Sequence, residues 1–232
     1  MGSHASMYAT LNRKEALKDA DFVIVMVQVG MFEATKIDFN IPRKYGLKQT
    51  IADSYDVGGI FRFLRSFPFY KGLVEDMAEV CPDAYLLNYT NPMAMNMLSI
   101  FKMAPQIKAV GLCHSVQGTA GVLANNLDIP FEELEYRVAG INHQAFFLNL
   151  KHKGQDLYPK LSELVSDPEK IKSNANKYNW MTKWDAVRVE LFKRLGYYIT
   201  ESSEHNSEYC QYFIQHDQYI EKYHIPIDEY IR

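Results

Sequence analysis

Ile107-Lys-Ala-Val-Gly-Leu-Cys-His-Ser-Val116 is an apolar, strand-like run that stops abruptly at a cysteine, a histidine and a serine. In an open α/β sheet, ligands collect just beyond the carboxyl ends of the parallel strands, so Cys113, His114 and Ser115 stand where chemistry is usually done. Free cysteine is also one of the most commonly buried residue types, and alone Cys113 reads more readily as inert core. A second run, Ala139-Gly-Ile-Asn-His143, shifts that balance, because it too is β-rich and ends in a metal-ligand type.

Two further strands lie upstream. Phe22-Val-Ile-Val-Met-Val-Gln-Val29 is β-branched and apolar without alternation, the pattern of a parallel strand buried on both faces, and Gly30 ends it. Ala84-Tyr-Leu-Leu-Asn88 runs into Tyr89-Thr-Asn-Pro92, where proline stops the strand and leaves Asn88, Thr90 and Asn91 at its carboxyl end. Amides there suit a sugar or a nicotinamide, and equally an Asx turn before a helix. Helices are expected over 12–21, 71–80, 93–103 and 115–127, the last capped by Ser115. Residues 31–67 are polar, aromatic and glycine-containing, with Asp53-Ser-Tyr-Asp-Val-Gly-Gly59 in the middle, and a stretch this long is either a functional loop or carries helices of its own; Arg62 and Arg65 follow the glycine pair, with solvent as their default.

This alternation predicts an α/β fold: a partial doubly wound, Rossmann-like parallel sheet related to lactate and malate dehydrogenases, followed by an α+β catalytic domain. One part of a nucleotide-binding sheet is missing, since no G-x-G-x-x-G turn occurs in these residues. Beyond Asp128, residues 135–141 and 145–150 are β-like, 151–179 read as loop and short helix, 184–195 as a helix stopped by Gly196, and 197–200 as a short strand. Glu201-Ser-Ser-Glu-His-Asn-Ser-Glu-Tyr209 reads from composition as a solvated acidic helix start. The boundaries expected are a tag remnant at 1–6, a partial dinucleotide-binding domain at 7–127, and a substrate- and metal-binding domain at 128–232 that is incomplete at its C-terminus.

Composition bounds the function. With 232 residues, 47% hydrophobic, and a net charge of −3, the chain has length for a full core and no basic block for phosphate neutralisation, so neither nucleic acid nor an anionic membrane is an expected partner. No apolar run approaches a membrane span. Cys81, Cys113 and Cys210 lack the spacing of a zinc knuckle or a disulfide framework, and reduced thiols in the cytoplasm fit them best.

Four strings then carry a resemblance through nearly the whole chain: Asn88-Tyr-Thr-Asn-Pro-Met-Ala-Met95, Gly111-Leu-Cys-His-Ser-Val-Gln117, Gly140-Ile-Asn-His143 and Thr200-Glu-Ser-Ser-Glu-His205. In order and spacing they closely resemble the α-galactosidases of glycoside hydrolase family 4, an NAD-dependent exception to two-carboxylate hydrolysis. Cys-His-Ser-Val is the α-galactosidase version of the second string, where phosphoglycosidases carry aspartate or asparagine after the cysteine. The resemblance implies α-galactosides such as melibiose and raffinose as substrates, with His114 in the place of that aspartate.

It also implies a reaction: NAD oxidises the hydroxyl at carbon 3, a base removes the acidified proton at carbon 2, the group at carbon 1 is eliminated, water adds, and the hydride returns. Mn2+ would sit on Cys113 and His143, leaving positions open for water and sugar oxygens. Tyr209 is implied as the base, with Tyr198 in reserve, and a phenol of pKa about 10 needs a neighbouring cation to act near neutrality. His114 is implied as a second catalytic residue. Asn91 is expected to contact the sugar or the nicotinamide ribose, and Asn142 the sugar. A homo-oligomer is expected. So is a chain that lacks a glycine-rich NAD-binding segment and is inactive alone. Two alternatives come from other classes: a 2-hydroxy acid dehydrogenase, disfavoured by the thiolate site and the lack of an Asp-His pair, and a non-catalytic assembly module.

Overall fold

The computed structural model describes residues 5–167 and 185–232. Most of the expected tag remnant, residues 168–179 of the expected loop, and Trp184 at the expected helix start lie outside the described residues.

Three parallel strands, β1 (Phe22–Val25), β2 (Tyr85–Asn88) and β3 (Lys108–Gly111), pair in the order 1-2-3. Because the order advances in one direction and such crossovers are right-handed, the connecting helices fall on one face, which makes this one winding of the expected sheet. On that face Val23, Val25 and Leu86 are buried with Tyr70, Met77 and Ile100. Phe22 and Tyr85 stack on the other at 5.8 Å, and Ile24 beside them is 61% exposed. The helices are α1 (Arg13–Leu17), α2 (Met31–Arg43), α3 (Val57–Val80), α4 (Met93–Met103) and α5 (Ser115–Leu127).

Two expectations change here. β1 ends at Val25 rather than Val29, because the following backbone turns to side-chain partners: Val27 N–H donates to Thr90 Oγ1 at 3.0 Å, and Arg65 Nε donates to the Val29 carbonyl at 2.9 Å. Residues 31–67 carry helices of their own, α2 and the first part of α3. Buried Ala34, Thr35, Asp38 and Phe39 follow a helical period that the charges between them obscure, and Asp56 caps α3 by accepting from Gly59 N–H at 2.7 Å. Arg65 does not face solvent as its default would have it; it clamps Asp38 at 3.0 and 2.6 Å, tying α3 to α2, while Arg62 donates to the Asn91 carbonyl.

The second sheet is antiparallel. A hairpin of β4 (Leu134–Ile141) and β5 (Gln144–His152) is extended by β6 (Gln155–Asp156) and β7 (Tyr198–Ile199), both pairing with β5. In the stretch expected as loop and short helix, the first residues extend β5 and form β6, and the helix is α6 (Tyr158–Ser166). After it come α7 (Ala186–Leu195), α8 (Ser203–Tyr209) and α9 (Asp217–Lys222). Leu123 and Leu127 of α5 join Phe147, Leu150, Leu161 and Phe192 in this second core, each such side chain contributing about 1.5–3 kcal/mol on burial. The helix that follows β3 thus packs into the core of the second sheet. No helix among the described residues is long and apolar enough to cross a membrane.

Candidate active site

The parallel ladder runs one residue beyond β3, where Leu112 N–H donates to the Asn88 carbonyl at 2.8 Å, and the chain then turns into α5. Cys113 is left at the carboxyl edge of the sheet with Ser115 Oγ 3.4 Å from its sulfur. His143 arrives from the other sheet, at the tip of the β4–β5 hairpin, with φ +62. Gly140 permits that hairpin: at φ +142, a Cβ there would lie 2.3 Å from the Gln144 carbonyl oxygen. The two expected metal ligands meet, with Cys113 Sγ 3.7 Å from His143 Nε2.

Glu201, which opens the corner between β7 and α8, places Oε2 3.3 Å from the same nitrogen. The other ring nitrogen, Nδ1, is 2.9 Å from Tyr209 OH and 3.1 Å from Ser54 Oγ. Tyr209 OH also lies 3.0 Å from His205 Nδ1. Asp53, held by Ser54 at 2.7 Å and by Asn91 Nδ2 at 3.0 Å, completes a second donor group with His143 and His205. The cleft above these groups is about 200 Å³, and its walls include Asn91, His114, Glu201 and His205. On the far side of Cys113 and His143 a groove of about 380 Å³ takes in Asn142 and Gly140.

Electrostatics follow from burial and neighbours. Burial works to raise the pKa of the Cys113 thiol, but the hydrogen bonds from His143 and Ser115 outweigh it and hold it below its ordinary value. His143 moves the other way: burial opposes its charged form, and Cys113, Glu201 and Asp53 overcome that. Burial, with the His143 charge adding, drives His205 down to about 4 against Asp53 and Glu201, so its ring is neutral. Burial pushes Tyr209 far above the ordinary phenol value, against a hydrogen bond from Ser54. It holds its proton unless a cation comes close.

Sequence reasoning placed Cys113, His143 and Tyr209, and the structure brings the three together. His114, not Ser115 as expected, occupies the N-cap position of α5, makes no side-chain capping hydrogen bond, and is exposed on the cleft wall. Asn91 turns one amide end to Asp53, and its Oδ1 is buried without a partner, an acceptor open to a ligand hydroxyl. Asn88 and Thr90 serve the fold instead: Asn88 accepts from Tyr70 OH at 2.7 Å and donates to the Thr90 carbonyl at 3.0 Å. Tyr198, the reserve base, is fully buried with its hydroxyl on Asp185, and it is part of the second core.

The expected solvated start of α8 is instead interior, since Glu201, His205, Asn206 and Ser207 are all buried. Glu201, His205, Asp53 and Ser54 are the residues that sequence reasoning missed. One signal was present in the Gly58-Gly59 pair: a Cβ on Gly59 would come within 2.6 Å of Ser54 backbone, so the glycine seats that strap against α3.

A thiol, an imidazole and a carboxylate thus lie together beside a buried phenol. The chain belongs to glycosyl hydrolase family 4: the family model matches residues 1–129 and that of the family's C-terminal domain matches residues 138–232. It is similar to the alpha-galactosidase of Bacillus subtilis (strain 168), at 46% identity over 224 residues, 95% of this chain and 49% of that protein. The alpha-galacturonidase of Thermoanaerobacterium saccharolyticum is 35% identical over 209 residues, 84% of this chain and 45% of that protein. Among solved structures, the putative glucosidase lplD of Bacillus subtilis aligns with a TM-score of 0.74 at 27% identity, over 86% of this chain and 48% of that one. A 6-phospho-alpha-glucosidase from gut microorganisms, solved with NAD and Mn2+, shares the fold with a TM-score of 0.70 at 19% identity, over 87% of this chain and 46% of that one. The chain spans about half the length of the curated relatives it matches.

Proposed function

We propose that these residues form the metal- and base-bearing part of a cytoplasmic, oligomeric, NAD- and manganese-dependent α-galactosidase acting on substrates of the melibiose and raffinose type. The observation that carries the reading is the convergence of Cys113 and His143 from two sheets on one cleft, with Tyr209 of α8 placing its hydroxyl 2.9 Å from the other nitrogen of the His143 ring. The 46% identity to an alpha-galactosidase and the Cys113-His114 pair support the choice of sugar. A thiol held below its ordinary pKa and an imidazole 3.7 Å away fit a divalent cation, and the unpartnered Asn91 Oδ1 fits a hydroxyl of the sugar or of the nicotinamide ribose.

When bound, NAD would supply hydride acceptance at carbon 3 and the cation would supply Lewis acidity toward the sugar's oxygens. The chain's residues handle the protons and the positioning. Asn91 at the cleft and Asn142 in the adjoining groove orient the sugar. With positive charge near His143 the phenol of Tyr209 would release its proton to solvent, and its Oη would then take the proton from carbon 2, while His205 Nδ1 and Ser54 Oγ hold the oxygen in place. His114, exposed on the cleft wall, is the second catalytic residue of this reading.

A protein carrying these residues together with a dinucleotide-binding turn should cleave p-nitrophenyl α-galactoside with NAD, Mn2+ and reductant, and should exchange the carbon 2 proton with deuterated water. Tyr209→Phe should abolish both while sparing cation binding. Persistent exchange in Tyr209→Phe would remove the base, and turnover of an α-galacturonide alone would overturn the sugar. The 232-residue chain alone, without a glycine-rich turn to hold the diphosphate, is expected to bind NAD weakly and cleave nothing measurable. Metal-dependent cleavage by material of 26.9 kDa would defeat that expectation.

A further inference from the structure

We propose that Glu201 is a third protein ligand of the cation held by Cys113 and His143, and that the completed thiolate, imidazole and carboxylate set takes Zn2+ and Co2+ far more tightly than Mn2+. The inference rests on reading Cys113 and His143 as metal ligands and adds to it a residue and a selectivity.

Geometry is the first support. Sγ, Nε2 and Oε2 of the three residues lie within 4.8 Å of one another, with Nε2 3.7 Å from the sulfur and 3.3 Å from the carboxylate oxygen. A tetrahedral zinc site with bonds of 2.0–2.3 Å has edges of about 3.6 Å between nitrogen and sulfur and about 3.4 Å between nitrogen and oxygen. A hard six-coordinate ion with bonds of about 2.1 Å would draw nitrogen and oxygen to about 3.0 Å.

Charge is the second. His143 is 4% exposed and Glu201 8%, with Cys113 half-buried beside them, so three lone pairs converge at the edge of the cleft with two of their side chains largely shielded from water. A single proton can bridge only one pair of these atoms, whereas a cation satisfies all three. Binding displaces the thiol proton to the buffer, and the thiolate and carboxylate together offset the charge of a divalent ion.

The surroundings hold each donor on target. Ser202 N–H occupies Glu201 Oε1 at 2.9 Å, which leaves Oε2 turned to the site, and Asn206 Nδ2 anchors the Glu201 carbonyl at 2.9 Å. Ser54 and Tyr209 engage Nδ1 of His143, leaving Nε2 for the metal. Such outer contacts fix ligand orientation. The cleft leaves a fourth position for water or a sugar oxygen. Thiolate and imidazole are ligands that suit zinc and cobalt, and Mn2+ stands at the weak end of the divalent series.

The test is calorimetric titration of the metal-free chain with Zn2+, Co2+ and Mn2+ separately, with absorption spectra of the Co2+ form. Wild type should bind Zn2+ at least about 100-fold more tightly than Mn2+ and show intense four-coordinate d–d bands with a thiolate-to-cobalt transition in the near ultraviolet. Glu201→Gln keeps the size of the side chain and its Ser202 contact, and should weaken Zn2+ by about 100-fold while weakening the d–d bands; Glu204→Gln, a neighbour outside the donor set, should change neither. Unchanged Zn2+ affinity in Glu201→Gln alongside loss in Cys113→Ser would overturn the third ligand and leave the two-ligand site standing. Mn2+ binding as tight as Zn2+ would overturn the selectivity. Absence of binding by wild type would overturn this proposal and the metal reading of Cys113 and His143 together.

Discussion

At the residue scale, the site depends on backbone that few side chains tolerate. His143 adopts the left-handed region at φ +62, and Gly140, three residues earlier, adopts φ +142, where a Cβ would meet both the Gln144 carbonyl and Ala145. Ala substituted at Gly140 must shift the hairpin tip that carries His143. Gly140→Ala should therefore lower stability by at least about 2 kcal/mol, roughly 4–8 °C in Tm, and weaken cation binding with it. Thermal unfolding and a metal titration on the same sample check this; an unchanged Tm would show that the hairpin reshapes freely. The string Gly140-Ile-Asn-His143 announced a ligand at the end of a strand. It could not announce a hairpin tip, because the conformation is set by which residue Gln144 pairs with.

At the element scale, α8 is held against the strap of residues 49–56 by a carboxylate. Glu208 Oε1 accepts the N–H groups of Thr50, Ile51 and Ala52 at 2.6, 2.9 and 3.0 Å, and Thr50 Oγ1 donates to the Glu204 carbonyl at 2.9 Å. Burial pushes the Glu208 carboxyl up to about 8, with the charge of Asp56 adding and the three N–H groups opposing. Asp56 is raised as well, again chiefly by burial. The folded chain thus keeps a proton that the unfolded chain releases above its ordinary 4.5. The stability from that proton is fully present below the lower value and is lost as pH rises through the higher one. Unfolding midpoints should fall between about pH 5 and pH 9, by roughly 2–4 °C for each kcal/mol lost, and Glu208→Gln should flatten the profile. A wild-type profile as flat as that of Glu208→Gln would refute this. The acidic run 201–209 looked solvated because composition reports charge and not contact, and its three-residue nest lies about 150 residues away in the chain.

At the scale of the whole molecule, one buried ion pair links the elements around the site. Arg188 on α7 donates to Asp185 at 2.6 Å and to Thr119 of α5 at 2.9 Å, Tyr198 of β7 donates to Asp185, and Thr119 donates to the Thr200 carbonyl beside Glu201. Arg188 is 2% exposed. Removing one partner of such a pair strands a charge in the interior, so Arg188→Ala should cost about 3–5 kcal/mol by denaturant unfolding, far more than the usual surface substitution. A loss under 1 kcal/mol would mean that water reaches Asp185. Tyr198 belongs to this network, and its buried hydroxyl is engaged by Asp185.

The sequence by itself determined the three parallel strands, the helices that follow two of them, the β-like runs on either side of Asn142-His143, and the family. Strand runs are local signals, and the strings around Cys113 and His143 end in metal-ligand types, whereas Tyr209 follows from the family resemblance alone. Only the tertiary structure decided that Glu201, His205, Asp53 and Ser54 join them, that 31–67 is mostly helix, and that α5 packs with the second sheet. The reason is physical: a carboxylate reads as surface until the backbone N–H, imidazole or thiolate that meets it is brought across from a distant part of the chain, and no pattern within a window of residues carries that encounter.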